Sequence, residues 1–249
     1  MYCMGMKIGA IIPLKNERGN VKNIVYAASI TPFLNDIIFI EANSTDQTFE
    51  SVVEWVNKYN DNRMSVVKQV PPYNKFEAIK QASKKLNSDH ILIWDSDNTI
   101  EFADIQKMLS IYINTSAEND LFLVANRMTK DRESGSFRLT NFIGNYLFSS
   151  LMSPILGIRL PDVLSGAKIF PKKIINEEKC LSMYTKDQFG DITLLSYGRK
   201  NNLNFLSVPV KYRKRFYGKS SISRFKGGYN MIKLIIHLRI HRCYNPSIK

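Results

Sequence analysis

Six short apolar runs, separated by polar or amphipathic stretches, set the rhythm of this chain. Lys7 to Ile12, Asp36 to Ile40, Met64 to Val67, His90 to Trp94, Leu121 to Ala125 and Leu203 to Val210 are short and rich in apolar residues, so each predicts a strand. Between the first five, apolar residues recur at helical spacing: Val21, Ile24, Val25 and Ala28, then Val52, Val53 and Val56, then Phe76, Ile79 and Leu86, then Phe102, Ile105, Met108 and Leu109. Ser44 and Gln47 fit a capping box that opens the second of these helices. Continuous apolar strands alternating with single helices predict an α/β fold with a mostly parallel sheet covered on both faces. Ligands of such sheets bind beyond the carboxyl ends of the strands. The loops that follow the runs are therefore where chemistry is to be sought.

Past residue 126 the alternation breaks down. A basic loop from Arg127 to Arg138 precedes a helical pattern with Ile143, Tyr146, Leu147, Ser150 and Leu151 on one face. Near the end, Met231, Leu234, Ile235 and Leu238 recur near helical spacing among Lys226, Lys233, Arg239 and Arg242. Two readings of that segment stay open: a basic amphipathic helix in the headgroup plane of an anionic membrane, or a helix packed on the body with a solvated basic side. His237 and His241 have a spacing that could bind metal but no third ligand nearby, and are assigned to the surface. Neither a repeat nor a low-complexity linker divides the chain, which predicts one integrated unit.

Composition narrows the partners. With 44% hydrophobic and 23% charged residues over 249, the chain can bury a full core. Its 35 Lys and Arg against 22 Asp and Glu leave a net charge of +13, which favours nucleic acid, phosphorylated substrates or an anionic bilayer. Cys3, Cys180 and Cys243 are far apart and form no CxxC pair, so a reducing, cytoplasmic setting is expected, without disulfide framework or zinc site. Residues 1–7 are too short and polar for a signal peptide, and no run of about 18 apolar residues predicts a spanning helix. A soluble protein, or one peripheral on the cytoplasmic face of the membrane, is expected. Neither GxGxxG nor GxxxxGK[ST] occurs, which argues against dehydrogenases and P-loop enzymes.

The chemistry gathers after the first, second and fourth runs. Asp95-Ser96-Asp97 follows His90 to Trp94, and carboxylates two residues apart on extended backbone can reach one cation. Oxygen-only ligands suit Mg²⁺ or Mn²⁺, which keep positions open for substrate phosphates. The plainer reading is a strand-end turn with an Asp capping the next helix. Asn16 and Glu17 follow the first run, and Glu41 and Asn43 the second, where they are suited to hydrogen-bond a base or ribose.

The ordered set Ile12-Pro13-Leu14-Lys15-Asn16-Glu17, Glu41-Ala42-Asn43-Ser44-Thr45-Asp46, Asp95-Ser96-Asp97, Asp162-Val163-Leu164-Ser165-Gly166 and Pro209 to Ser220 resembles family-2 glycosyltransferases. Within them it is similar to the branch of dolichol-phosphate mannose synthase and related polyprenyl-phosphate sugar synthases. The resemblance runs from about Lys7 to about Gly228. It implies a GT-A fold, a Rossmann-like, mostly parallel sheet with a C-terminal acceptor-side region, and an inverting, metal-dependent sugar transfer from a UDP- or GDP-linked donor. Residues 1–126 would form the nucleotide-sugar half, 127–220 the acceptor half, and 221–249 a basic amphipathic segment. It further implies that Pro13, Asn16, Glu17, Glu41, Asn43, Lys75, Asp95 and Ser96 bind the donor, with Asp95 and Asp97 on the metal. Arg127, Arg138, Ser165, Gly166 and Arg215 would meet the acceptor or its phosphate, and Asp97, Asp191 and Arg215 would be catalytic.

Three departures from the family pattern stand out. Glu41-Ala42-Asn43-Ser44 replaces Asp-Asp-Gly-Ser, Lys75-Phe76 replaces Lys-Gly, and Ser221 stands where a Lys is expected. Asp191 leaves the acceptor open. In many family members an acid in this region is the general base for a hydroxyl, whereas a phosphate acceptor is already ionised and needs none. Polyprenyl phosphate is the leading acceptor and a hydroxyl of a glycan or lipid-linked sugar the alternative. A basic nucleic-acid-binding protein is disfavoured, because acids cluster where the sheet binds ligand and no RRM signature occurs. An inactive nucleotide-binding scaffold is disfavoured by the intact Asp95 and Asp97.

Overall fold

The computed structural model describes residues 6–115, 120–136, 139–176, 190–218 and 224–241. Its strands are β1 (Ile8–Leu14), β2 (Asp36–Glu41), β3 (Met64–Lys68), β4 (His90–Ile93), β5 (Leu121–Asn126), β6 (Lys168–Pro171) and β7 (Asn204–Pro209). They form one sheet in the order β3-β2-β1-β4-β6-β5-β7. β1 runs parallel to β2 and β4, β2 to β3, and β5 to β7, while β6 lies antiparallel between β4 and β5. All six expected strands are present. β6 escaped the pattern because it is four residues long and begins with a lysine, so it offers neither an alternation nor a clean apolar run.

Alternation along β1 shows why the strands read as continuous apolar runs. Ile8, Ala10, Ile12 and Leu14 face one core, and Ile11 faces the other. The first core lies under α1 (Arg18–Ser29), α2 (Thr48–Tyr59) and α4 (Phe102–Thr115), with Val21, Val52 and Ile105 among its buried residues. The second lies under α3 (Lys75–Ser83), α5 (Leu139–Leu156), α6 (Asp191–Lys200) and α7 (Arg224–His241), with Ile79, Met152, Leu195 and Leu234. Fully burying residues of this size stabilises by about 1.5–3 kcal/mol each. Both faces are thereby closed, and polar groups are left to collect at the strand ends.

One local expectation is corrected, and the structure orients two helices whose faces the pattern left open. Ser44 and Gln47 form no capping box: Gln47 is left-handed at the start of α2 without a side-chain cap, and Ser44 Oγ accepts from the Asn16 N–H at 2.9 Å. The Asp46 carboxylate meets the Thr48 N–H instead, at 3.2 Å. On α5, the face carrying Ile143, Tyr146 and Leu147 is exposed, while Asn145, Phe148, Ser149 and Met152 turn inward. On α7, Met231, Leu234, Ile235 and Leu238 pack into the second core, so that face belongs to the protein's own interior.

Candidate active site

Three asparagines turn the loops at the carboxyl edge of the sheet. Asn16, Asn43 and Asn98 have φ of 55°, 52° and 54°, a left-handed conformation that asparagine tolerates better than most residues. Asn16 Oδ1 accepts from the Thr45 N–H at 2.9 Å, and the Glu17 N–H donates to Thr48 Oγ1 at 2.9 Å, which ties the β1 loop to the β2 loop. Glu41 is buried and accepts from the Ser44 N–H, while Asn43 is exposed at the loop tip. Ser96 Oγ donates to the Pro13 carbonyl at 2.8 Å and fastens the β4 loop to the same platform. The loops after β1, β2 and β4 therefore form one surface.

Asp95 and Asp97 project from that surface, each already matched by a cation. Lys75, at the start of α3, pairs with Asp95 Oδ1. Asp97 Oδ1 accepts from the Thr99 N–H and hydroxyl at 3.1 and 2.7 Å, and its Oδ2 faces Arg215 Nη2 at 2.7 Å. Arg215 Nη1 reaches Glu17 Oε1 at 3.1 Å. Arg215 is carried in by residues 210–218, which run from β7 back across the loops: Tyr212 bridges Ile100, the Arg213 N–H donates to the Thr99 carbonyl, and Tyr217 Oη donates to Asp46 Oδ2 at 3.2 Å.

A second cluster lies beside the first, built from residues 127–191. The Arg127 guanidinium forks onto Asp162 at 2.7 and 2.9 Å, reaches the Leu164 carbonyl at 2.8 Å and lies over the Tyr212 ring. This fixes the segment that ends in Ser165 and Gly166. Glycine at 166 lets this segment close against Asp95, since an added Cβ would lie 1.5 Å from Asp95 Oδ2 and push that carboxylate aside. Lys168, at the start of β6 and fully buried, donates to Asp191 Oδ1 and to the Ser165 carbonyl. Asp191 opens α6 behind Gly190, whose φ is 77°.

Electrostatics follow from these contacts. Burial pushes the Glu17 carboxyl up to about 7, partly offset by the hydrogen bond from Asn20 and by the Arg215 guanidinium. Burial opposes the charges on Asp95, Lys75 and Arg215, yet their partners prevail. Lys75 holds the Asp95 carboxyl below its usual range. Asp95 and Asp191 hold the Lys75 ammonium above its own, and Asp97 with Glu17 raises Arg215.

The donor set suits a hard divalent ion. Two carboxylates from one loop are the usual protein share for Mg²⁺, with phosphate oxygens and water completing the shell. Among the described residues no three His, Cys, Asp or Glu side chains gather to hold a metal, so a diphosphate would have to contribute. The fully buried Ser165 Oγ has no hydrogen-bond partner among the described residues.

The structure thus brings together Pro13, Asn16, Glu17, Glu41, Asn43, Lys75, Asp95, Ser96, Asp97, Ser165, Gly166, Asp191 and Arg215 along one edge. Arg127 adjoins them but is committed to Asp162, and Arg138 lies outside the described residues. Sequence reasoning missed Lys168. Its signal was a lysine embedded in the apolar stretch Ala167 to Phe170, where a charge needs a buried partner.

Comparison with known proteins decides the family. The model of Glycosyl transferase family 2 matches residues 10–178. The chain belongs to this family. Among curated relatives, this family 2 chain is 22% identical over 233 residues to the low-salt glycan biosynthesis hexosyltransferase Agl6 of Haloferax volcanii, covering 92% of this chain and 53% of that protein. It is 21% identical over 246 residues to the dolichyl-phosphate beta-glucosyltransferase of Dictyostelium discoideum, covering 93% and 73%. The chain thus spans about half the length of Agl6. In fold it is similar to glucosyl-3-phosphoglycerate synthase from Mycobacterium tuberculosis solved with Mn²⁺, UDP and glucosyl-3-phosphoglycerate. The TM-score is 0.65 at 18% identity, covering 98% of this chain and 82% of that one. The GT-A fold is thereby established.

Proposed function

We propose that this family 2 glycosyltransferase moves a hexosyl group from a UDP- or GDP-linked donor to polyprenyl phosphate, inverting the anomeric carbon. The observation that carries the acceptor reading is the contact between Lys168 and Asp191. A hydroxyl acceptor needs a general base with a carboxylate oxygen open to its proton. Asp191 is buried and its Oδ1 already accepts from the Lys168 ammonium, which suits it better to holding a sugar hydroxyl or ordering α6 than to meeting an acceptor's proton. A phosphate acceptor arrives ionised and needs no base. Its oxygen attacks the anomeric carbon as the bond to the diphosphate breaks. The name of the Dictyostelium relative and the basic character of the acceptor side support the same acceptor.

On the donor side, the tied loops of Asn16, Glu17, Glu41 and Asn43 form a platform for the nucleoside, and Lys75 and Arg215 offer charge to the diphosphate. Mg²⁺ or Mn²⁺ on Asp95 and Asp97 would neutralise the charge that builds on the leaving group. The Mn²⁺, Mg²⁺ and UDP of the mycobacterial structures support this assignment.

The test is a screen of UDP- and GDP-sugars for nucleotide release with Mn²⁺, Mg²⁺ or chelator, with and without polyprenyl phosphate. Release that needs both a divalent ion and the lipid phosphate, with a glycosyl phospholipid as product, is expected. Transfer to a hydroxyl acceptor, with none to polyprenyl phosphate, would overturn the acceptor assignment.

A further inference from the structure

Outside the site, the surface of α5 breaks the usual order of a helix. Its inward face contains Asn145 and Ser149, which donate to the Pro161 and Leu160 carbonyls, beside Phe148 and Met152. Its outward face carries Leu139, Phe142, Ile143, Tyr146 and Leu147 at i, i+3, i+4, i+7 and i+8, exposed to between 37% and 73%. Monomeric proteins seldom leave such a contiguous apolar stripe in water. α7, which packs against α5, adds Tyr229, Ile236 and Ile240, all more than half exposed.

We propose that the outward face of α5, with the adjoining outer side of α7, docks on an anionic lipid bilayer. The charges decide the occupant. α5 has no charged residue, and neither helix has an acidic one. Cations flank the aromatic rings: Arg132 over Phe142 at 5.5 Å, Arg159 over Tyr146 at 4.8 Å and Lys233 over Tyr229 at 4.4 Å. An apolar stripe bordered by cations and interfacial aromatics matches acyl chains below a layer of anionic headgroups. A second copy docked through the same face would set these cations against one another with no acid on either helix to pair them. Among the described residues no helix is long and apolar enough to cross a membrane, so the surface lies on the bilayer rather than spanning it. The inner side of α5 holds the segment leading to Asp162 and Gly166, which places the bilayer about one helix diameter from the acceptor side of the site.

This surface deepens the lipid-acceptor reading but rests on separate observations, and its test uses neither donor nor acceptor. The full chain is sedimented with vesicles of phosphatidylcholine alone and of phosphatidylcholine mixed with phosphatidylglycerol. The comparison protein is the triple variant Phe142→Ser, Ile143→Ser, Leu147→Ser, with thermal melting to confirm its fold. Binding stronger on the anionic vesicles and weakened about tenfold or more by the triple change is expected. Equal binding by both proteins, or none by either, overturns the proposal. So does a dimer seen by sedimentation that the triple change dissociates while vesicles stay unbound. Metal-dependent donor hydrolysis in lipid-free solution is expected to be unchanged in the triple variant. A protein that docks but transfers nothing to polyprenyl phosphate would leave this surface standing and remove the acceptor reading alone.

Discussion

Arg215 and Asp97 stand 118 positions apart in the chain, yet Arg215 Nη2 lies 2.7 Å from Asp97 Oδ2. The same guanidinium reaches Glu17, so one residue from the segment after β7 spans the loops after β1 and β4. Because Arg215 contacts a carboxylate proposed to hold the metal, the proposed reading has it meet the donor diphosphate.

Arg215→Ala is therefore expected to lower sugar-transfer turnover by about 10²- to 10³-fold, the usual effect of removing one donor to developing charge. Arg215→Lys should recover only part, since an ammonium cannot fork across two partners as a guanidinium does. Measured kcat for the three proteins checks this. A fully active alanine variant would reduce Arg215 to a structural tie.

Glu17 carries a pH signature. Its carboxyl, raised by burial from an ordinary 4.5 to about 7, keeps its proton in the folded chain after the unfolded chain has lost it. The folded state binds more protons across that window, so this group's contribution to stability falls as pH rises from about 4.5 to about 7, then levels off. Glu17→Gln should remove the fall, which is on the order of 3 kcal/mol. Denaturant unfolding of both proteins at stepped pH, taken as a difference, isolates the effect. Parallel curves would show that Glu17 does not titrate there.

Lys168→Met leaves Asp191 charged, buried and without its ammonium. A loss of about 3–5 kcal/mol is expected, with much of it restored in the double variant Lys168→Met, Asp191→Asn. Urea midpoints measure both. In the double variant the proposed phosphate acceptor should still be glycosylated, with far less than the about 10²- to 10⁴-fold loss that follows removal of a general base.

Gly166→Ala tests the packing of the second cluster on Asp95. The added Cβ would meet a carboxylate oxygen at the end of a flexible side chain, so Asp95 should swing aside while the fold holds. A melting temperature within a few degrees of the parent, with metal-dependent donor affinity weakened about tenfold or more, is expected. Calorimetric titration with UDP and Mn²⁺ measures it. Unchanged affinity would mean that the observed position of Asp95 is not the one used for the donor.

The chain's own order determined the parts governed by local pattern. The inner strands β1, β2, β4 and β5, buried on both faces, had to be apolar and were visible as runs. The edge strands β3 and β7 kept enough apolar residues to be read with them, and the acids after β1, β2 and β4 fell where a parallel sheet binds ligand. β6 was invisible because its four residues, one of them Lys168, take their place only from the strands on either side. The outward turn of α5 was equally hidden, since periodicity marks an apolar face without saying what faces it. Tertiary structure alone decided the pairings Asp95 with Lys75, Asp97 with Arg215 and Asp191 with Lys168. Each joins segments at least 20 positions apart, and a charge finds its partner only when folding brings distant backbone within hydrogen-bond reach.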